Sequence, residues 1–173
     1  METQFNFYPF NRTDKGLTVR GDNVILFIDN SYQKHYCGYT RLDISECPEE
    51  WNKSTWGDFP AGVDFLVVHG GVTYWHIEDN KHLVVGFDCA HSGDNVNEKL
   101  KDPDYIFTLT EQMRSQLIEL CKRWPDFIAA NRQERIAIIE QIRESAQLPC
   151  EYGLSALLSM MGGAEELGKE ETR

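Results

Sequence analysis

The first half of the chain alternates short apolar runs with turn-forming residues, which is typical of β-strands joined by tight connections. The runs predict five strands, at residues 23–28, 35–42, 63–69, 72–77 and 82–89. Gly70-Gly71 and Asp79-Asn80 predict the turns between the last three of them. Strands this close in sequence pair antiparallel most easily. Gly38, inside the second strand, indicates either a bulge or a close approach by another segment.

The second half of the chain carries apolar residues at every third or fourth position, the period of an α-helix. The first stripe consists of Ile106, Leu109, Met113, Leu117, Leu120 and Trp124. Thr108 and Glu111 have the spacing of a capping box, and Pro125 predicts the end of this helix.

A second helix is predicted after Asn131, which forms another capping-box pattern with Glu134. Its stripe consists of Ile136, Ile139 and Ile142, and a shorter helical segment follows at residues 154–161.

Strands followed by helices predict an α+β fold, an antiparallel β-sheet from the N-terminal half packed by C-terminal helices. A chain of 173 residues is most simply one domain. We assign residues 1–165 to it, with strands within about 23–89 and helices within about 106–161, and residues 166–173 to a flexible acidic tail.

The charge balance argues against general affinity for nucleic acid, because the net charge is −11, from 28 acidic and 17 basic residues. Acidic residues concentrate between residues 42 and 64, a segment that is either a solvated loop or a surface for a basic partner. Trp51 and Trp56 lie in this segment, and exposed tryptophans there favour binding. The predicted partner-binding residues are Glu46, Glu49, Glu50, Trp51, Trp56 and Asp58.

The sequence shows neither a membrane-spanning segment nor a signal peptide. The longest apolar run has five residues, at 24–28, far short of the roughly 20 that a membrane span needs. The five cysteines are odd in number and never in C-x-x-C spacing, which argues against a disulfide framework and a zinc knuckle. We therefore expect a cytoplasmic protein without membrane contact.

The candidate chemistry lies at the ends of the predicted strands. Asp88, His91 and Asp94 are spaced so that one turn brings them together, and His69 ends another predicted strand. Carboxylates and imidazoles bind divalent metals such as zinc or iron, and they also act together as an oriented base. These four are the predicted catalytic residues, although a carboxylate–imidazole pair that fixes a loop fits the pattern equally well. A divalent metal is one option for a cofactor, and its identity stays open.

The turn after His69 suggests a binding site for a small ligand. Glycines there permit positive φ values, and backbone N–H groups in such turns form anion-binding nests. The predicted ligand-binding residues are Gly70, Gly71, Thr73 and Tyr39. A bare hairpin turn explains the glycine pair as well. Cys89 alternates with Asp88 along the strand, which places its side chain on the opposite face, and we interpret it as a buried structural residue.

Four motifs together resemble a family of bacteriophage and prophage proteins. They are CGY at residues 37–39, VHGGVTY at 68–74, GFDCAHSGD at 86–94 and DY at 104–105. The resemblance covers residues 36–120 and implies an accessory role in phage infection. Where that family has a Pro-Glu-Gly-His-Pro loop, this chain has ECPEEW at residues 46–51, so any mechanism that needs that loop's histidine is in doubt here.

Three hypotheses follow for the function. The first is an accessory protein that binds a host target, such as an anti-immune contact with a basic defence protein or nucleoprotein complex in the host cytoplasm. The alternative is a protein with a His/Asp site that binds or hydrolyses a small polar ligand or nucleotide. The third is that the HGG and GFDCAH motifs only specify the sheet.

Overall fold

The protein is described by a computed structural model that covers residues 16–53, 59–60 and 62–146. One five-stranded sheet is formed by β1 (Leu17–Arg20), β2 (Asn23–Asp29), β3 (Lys34–Asp43), β4 (Tyr74–Glu78) and β5 (His82–Asp88), and helices α1 (Pro103–Ala129) and α2 (Arg132–Ser145) follow. The strand order is β1-β2-β3-β5-β4, and each neighbouring pair is antiparallel. The predicted α+β fold is therefore confirmed.

Strand β1 was not predicted. Its four residues are all exposed, and it pairs with β2 only at the edge of the sheet. Its sequence, LTVR, does alternate apolar and polar residues ahead of the Gly21-Asp22 turn, so a short strand signal was present and was missed.

The predicted strand at residues 63–69 is wrong. Residues Val63–Phe65 form one turn of 3-10 helix, and residues 66–68 are irregular. The buried side chain of Gln116 on α1 takes the place of a neighbouring strand: it donates to the Val67 carbonyl and accepts from the Val67 N–H, both at 2.8 Å. Both backbone groups of Val67 are thus satisfied without a strand partner.

The turn between β4 and β5 matches its prediction. Asp79 and Asn80 both have positive φ, at 48° and 55°, as the central residues of a type I′ turn do, and the N–H of Lys81 closes the turn on the Glu78 carbonyl. Glu78 then pairs with His82, one residue beyond the turn, which sets the register of β4 on β5.

Helix α1 packs against β2 and β3, and Gly38 makes the close contact possible. A Cβ atom on Gly38 would lie 2.4 Å from Oγ1 of Thr110 and 2.5 Å from the ring of Phe87. The prediction of a close approach at Gly38 is confirmed. The main core lies between this face of the sheet and the helices, and a smaller apolar cluster lies on the other face.

Helix α1 differs from its predicted limits at both ends. Asp102 caps it by accepting from the N–H of Asp104, whereas Thr108 lies inside the helix and donates to the Asp104 carbonyl. The helix also continues through Pro125. Pro125 is exposed near the C-terminal end, while Trp124 and Phe127 stay buried and stack at 5.8 Å. Their packing outweighs the single backbone hydrogen bond that proline removes.

The capping box of α2 is confirmed. The side chain of Asn131 accepts from the N–H of Glu134, and the Glu134 carboxylate accepts from the N–H of Asn131. The predicted segment at 154–161 and the tail at 166–173 lie outside the described residues. Among the helices that the structure describes, none combines the length and the apolar composition needed to cross a membrane.

Candidate functional site

The four predicted catalytic residues come together at one end of the sheet. His69 follows the irregular segment that Gln116 holds, Asp88 is the last residue of β5, and His91 and Asp94 lie on the loop after β5. The convergence is tertiary, because His69 approaches the loop from a separate connection.

Asp94 is the centre of this cluster. Its Oδ2 lies 2.9 Å from Nε2 of His69 and 3.3 Å from Nδ1 of His91, and it also accepts from the backbone N–H of His91 at 2.9 Å. The side chain is only 11% exposed. One carboxylate oxygen therefore holds both imidazoles and the loop that carries one of them.

The electrostatics of Asp94 favour its charged form. Burial raises the pKa of the carboxyl, but the hydrogen bonds with His69 and with the backbone N–H of His91 lower it by more than burial raises it. The net pKa therefore lies below the ordinary value of 3.8. Asp94 is therefore a carboxylate at neutral pH, as both a metal ligand and a partner for imidazole require.

Gly70 allows His91 to approach His69. The two rings are 5.6 Å apart at 77°, and a Cβ atom on Gly70 would lie 2.0 Å from Cε1 of His91. Gly70 also has a φ of 67°, a backbone conformation that residues with a Cβ atom rarely adopt. Glycine at this position thus serves the geometry of the site.

Asp88 contributes differently from the other three residues. Its Oδ1 accepts from the backbone N–H of Ala90 at 3.0 Å and lies 3.9 Å from Nδ1 of His91. The carboxylate therefore positions the start of the loop that carries His91 and Asp94. It is a positioning residue, outside the closest group of side chains.

The closest group can hold a metal ion. His69, His91 and Asp94 each offer one ligand atom, and these three atoms lie within 4.8 Å of one another. Two imidazoles and one carboxylate form the donor set of many zinc and non-haem iron sites, in which the remaining coordination positions stay open.

His35 is a further residue of the site, and the sequence analysis missed it. It lies at the start of β3, and its Nδ1 is buried with no hydrogen-bond partner among the described residues. Burial lowers the pKa of His35, and the carboxylates of Asp88 and Asp94 raise it in turn, with a net value below 6.5. It is thus a neutral imidazole at pH 7. Only the pairing of β3 with β5, in which Cys37 faces Asp88, brings it here.

A cavity of about 580 Å³ opens beside the cluster. Its walls include Tyr32, Lys34, His35, His91, Asp94 and Lys101. Tyr32 is 93% exposed, so its ring lies free at the mouth. The cavity is large enough for a small ligand and combines an aromatic ring, two cations and the His/Asp cluster.

The other predicted ligand-binding residues are separate from this cavity wall. The N–H of Gly71 donates to the Val68 carbonyl within the turn, and the N–H of Thr73 donates to the Gly86 carbonyl. Tyr39 is buried in the smaller apolar cluster, with its ring edge-on to Tyr74 at 5.4 Å. None of the three lines the cavity, and ligand binding by Gly71, Thr73 and Tyr39 stays a prediction.

Cys89 is buried, in agreement with its predicted structural role. Burial raises the pKa of its thiol to about 12, so almost none of it is thiolate at neutral pH.

The predicted partner-binding surface is retained in part. Glu46, Glu49 and Glu50 are exposed on two short 3-10 segments, Ile44–Glu46 and Glu49–Lys53. The predicted exposure of Trp51 is wrong, because its side chain is fully buried between Trp75 and Trp124, each 5.3 Å away. Burial of so large an aromatic surface outweighs the polarity of the surrounding sequence. Trp56 and Asp58 lie outside the described residues.

No protein-family model, curated protein or solved structure matches this chain.

Proposed function

We propose that this chain binds a divalent transition-metal ion through His69, His91 and Asp94, and that the ion binds a small polar ligand from the adjacent cavity. The observation that carries the proposal is the approach of three ligand atoms from two separate connections to within 4.8 Å. Zn²⁺ and Fe²⁺ are the ions that suit two imidazoles and a carboxylate.

The distances around Asp94 support a shared ion. In a site with metal–ligand bonds of about 2.1 Å, neighbouring ligand atoms lie about 3.0–3.4 Å apart. The observed separations from Oδ2 of Asp94 are 2.9 Å to His69 and 3.3 Å to His91. An ion would therefore replace the two hydrogen bonds that Asp94 makes with the imidazoles.

Charge determines which ligand fits the cavity. Without an ion, the carboxylates of Asp88 and Asp94 repel an anion. A divalent ion offsets their two charges, and Lys34 and Lys101 at the wall, which would turn from their ion pairs with Asp29 and Glu98, then favour an oxyanion such as a phosphate group. A divalent ion held by these residues would supply a water that ionises near pH 7, and His35, which lines the same cavity, would accept a proton from it, so hydrolysis is the reaction this site would support.

Metal binding is tested on the full chain after EDTA treatment, by isothermal titration with Zn²⁺, Fe²⁺ under anaerobic conditions, and Mg²⁺. We expect one transition-metal ion per chain and a higher Tm in its presence. His69→Ala and His91→Ala should each weaken binding by about 100-fold or more.

The matched control is His82→Ala, because His82 also pairs with an aspartate, Asp79, at 3.1 Å, but on the β4–β5 turn. It should bind the ion as the unchanged chain does. Equal affinity in the unchanged chain and in His69→Ala would contradict the proposal. If the carboxylate–imidazole pairs only fix the loop, His69→Ala and His91→Ala should have a lower Tm than the unchanged chain in EDTA. None of these proteins should then bind an ion.

Ligand binding is tested with the metal-loaded chain and inorganic phosphate as the probe. Lys101→Gln should weaken phosphate binding several-fold, whereas Lys122→Gln, away from this cavity, should not. Hydrolysis of p-nitrophenyl phosphate that requires the metal and His35 would identify a catalyst. Phosphate binding without turnover would identify a binding protein.

A second candidate is an accessory protein that contacts a basic host target in the cytoplasm. It is supported by the exposed acidic residues Glu46, Glu49 and Glu50 and by the net charge of −11. Replacing all three by lysine should abolish binding to a host protein that the unchanged chain retains at low salt. The control replaces Glu111, Asp126 and Glu144, which are also exposed, and so changes the net charge equally. Equal loss with both variants would exclude this acidic segment as a specific surface.

A further inference from the structure

Two cysteines lie together at the opposite end of β3 from the cavity. Cys47 directly follows the 3-10 segment Ile44–Glu46, and Cys121 lies on α1. Their thiols are in hydrogen-bonding contact with each other. Both are half-buried and pack against the main core. No spacing in the sequence relates them, because the contact exists only where the end of β3 meets the helix.

The same two thiols line a second cavity of about 270 Å³. Its other walls are Leu42, Ile118, Glu46 and Lys122. A small molecule therefore reaches the thiol pair. Cys37 and Cys89, in contrast, are buried.

We propose that Cys47 and Cys121 form a modification site for hydroperoxides, which convert the two thiols into a disulfide. The thiolate sulfur of Cys47 attacks the terminal oxygen of the hydroperoxide, breaks the O–O bond and becomes a sulfenic acid, and the leaving oxygen takes a proton to give water or an alcohol. The thiol of Cys121 then attacks the sulfenic sulfur, the S–S bond forms, and its proton leaves with the hydroxyl as water. Two thiols lose two electrons, and one hydroperoxide gains them.

The contact between the thiols divides these roles. The hydrogen bond from Cys121 lowers the pKa of the Cys47 thiol, and the same bond raises the pKa of the Cys121 thiol. Cys47, whose Sγ also donates to the Asp43 carbonyl at 3.4 Å, is thus the sulfur with the lower pKa of the two, and Cys121 keeps its proton until the second step. The site goes beyond the proposed metal site, with which it shares no residue.

The disulfide would fasten the acidic segment to the helix. Cys47 lies between Glu46 and Glu49, the exposed residues of the two 3-10 segments. A cross-link from there to α1 removes conformational freedom from the unfolded chain and raises the Tm.

The experiment uses the full chain with Cys150→Ser, because Cys150 lies outside the described residues. The EDTA-treated protein is exposed to hydrogen peroxide, alkylated under native conditions, digested and analysed by mass spectrometry without reduction. We expect a peptide pair joined through Cys47 and Cys121. The Tm should rise by several degrees and return after dithiothreitol. Cys37 and Cys89 should react with the alkylating agent only after unfolding.

Cys47→Ser and Cys121→Ser separate the two steps. Cys121→Ser should accumulate sulfenic acid at Cys47, trapped by dimedone, whereas Cys47→Ser should leave Cys121 reduced. Three outcomes overturn the proposal. The first is a sulfinic acid at Cys47, with no cross-link, in the protein that keeps both cysteines. The others are a Cys121 that reacts with peroxide in Cys47→Ser as fast as Cys47 does in Cys121→Ser, and a disulfide that involves Cys37 or Cys89.

Discussion

At the scale of single residues, Gly70 shows how one backbone position controls the site. It follows His69 directly, and its missing side chain leaves the space that the His91 ring occupies. Its neighbour Gly71 has an equally unusual φ of 86°, but a Cβ atom there would meet nothing within 4 Å. Substitution of Gly71 would therefore cause backbone strain alone, whereas substitution of Gly70 would cause strain and a steric clash with His91.

Gly70→Ala and Gly71→Ala test this difference. Each places a side chain at positive φ, which costs about 1–2 kcal/mol of stability. Only Gly70→Ala also displaces His91, so we expect it to weaken metal binding by tenfold or more while Gly71→Ala keeps the affinity. Urea unfolding and metal titration measure the two effects. Similar affinities in both variants would show that the position of the His91 ring does not govern binding.

The burial of the Cys37 thiol makes the stability of the protein depend on pH in the alkaline range. Burial raises the pKa of Cys37 to about 11, above the roughly 8.5 of an exposed thiol. The folded state keeps the proton over an interval in which the unfolded state has released it. Stability associated with this thiol is therefore complete below about pH 8.5 and is lost as the pH rises towards 11.

We expect the free energy of unfolding to fall more steeply between pH 9 and pH 11 in the unchanged chain than in Cys37→Ala. The difference in slope should approach about 1.4 kcal/mol per pH unit. Urea unfolding at closely spaced pH values measures it. Parallel curves would mean that the Cys37 thiol ionises equally in both states.

At the scale of elements, the segment before His69 is held by a helix rather than by a strand. Gln116 has no exposed surface, and its amide satisfies both backbone groups of Val67. Helix α1 thereby fixes the connection that delivers His69, and the stability of the site depends on a side chain far from it in sequence.

Gln116→Leu should leave the N–H and the carbonyl of Val67 without partners, at a cost of about 2–4 kcal/mol. Metal affinity should fall as well, because His69 lies two residues beyond Val67. Gln112→Leu is the matched control on the preceding turn of α1, since Oε1 of Gln112 is buried without a hydrogen-bond partner among the described residues. Its replacement should be neutral or stabilising, and an equal loss in both variants would contradict the role of Gln116.

At the scale of the whole molecule, the distance between helix and sheet is set where α1 crosses Gly38. The position that a Cβ of residue 38 would take lies between Thr110, which has no exposed surface, and the ring of Phe87 on β5. The helix can approach the sheet this closely only because β3 has no side chain there.

Gly38→Ala should destabilise the protein by about 1–3 kcal/mol through overpacking. Thr110→Ala removes the nearest atom that the new Cβ would meet, so the double variant should be more stable than the sum of the single effects predicts. Thermal and urea unfolding of the unchanged chain, the two single variants and the double variant complete this double-mutant cycle. Strictly additive losses would show that α1 shifts away instead of compressing the contact.

Local chemistry explains the features that were predictable from the sequence. The Asp79-Asn80 turn and the Asn131 cap depend on residues within a few positions of each other, and both are confirmed. The strands β2, β3 and β5 have buried faces, which their apolar runs announce. The exposed strand β1 was missed although its LTVR sequence alternates, because the prediction relied on longer apolar runs.

The sequence alone determined the class of fold and the four polar residues of the candidate site, because alternation, helical period and turn chemistry are local properties. The tertiary structure decided the rest. It buried Trp51 between two other tryptophans, it gave Val67 a side-chain partner instead of a strand, and it brought His35 to the cluster through the pairing of β3 with β5. Each of these outcomes depends on residues distant in the chain, whose contacts exist only after the sheet and the helix have packed together.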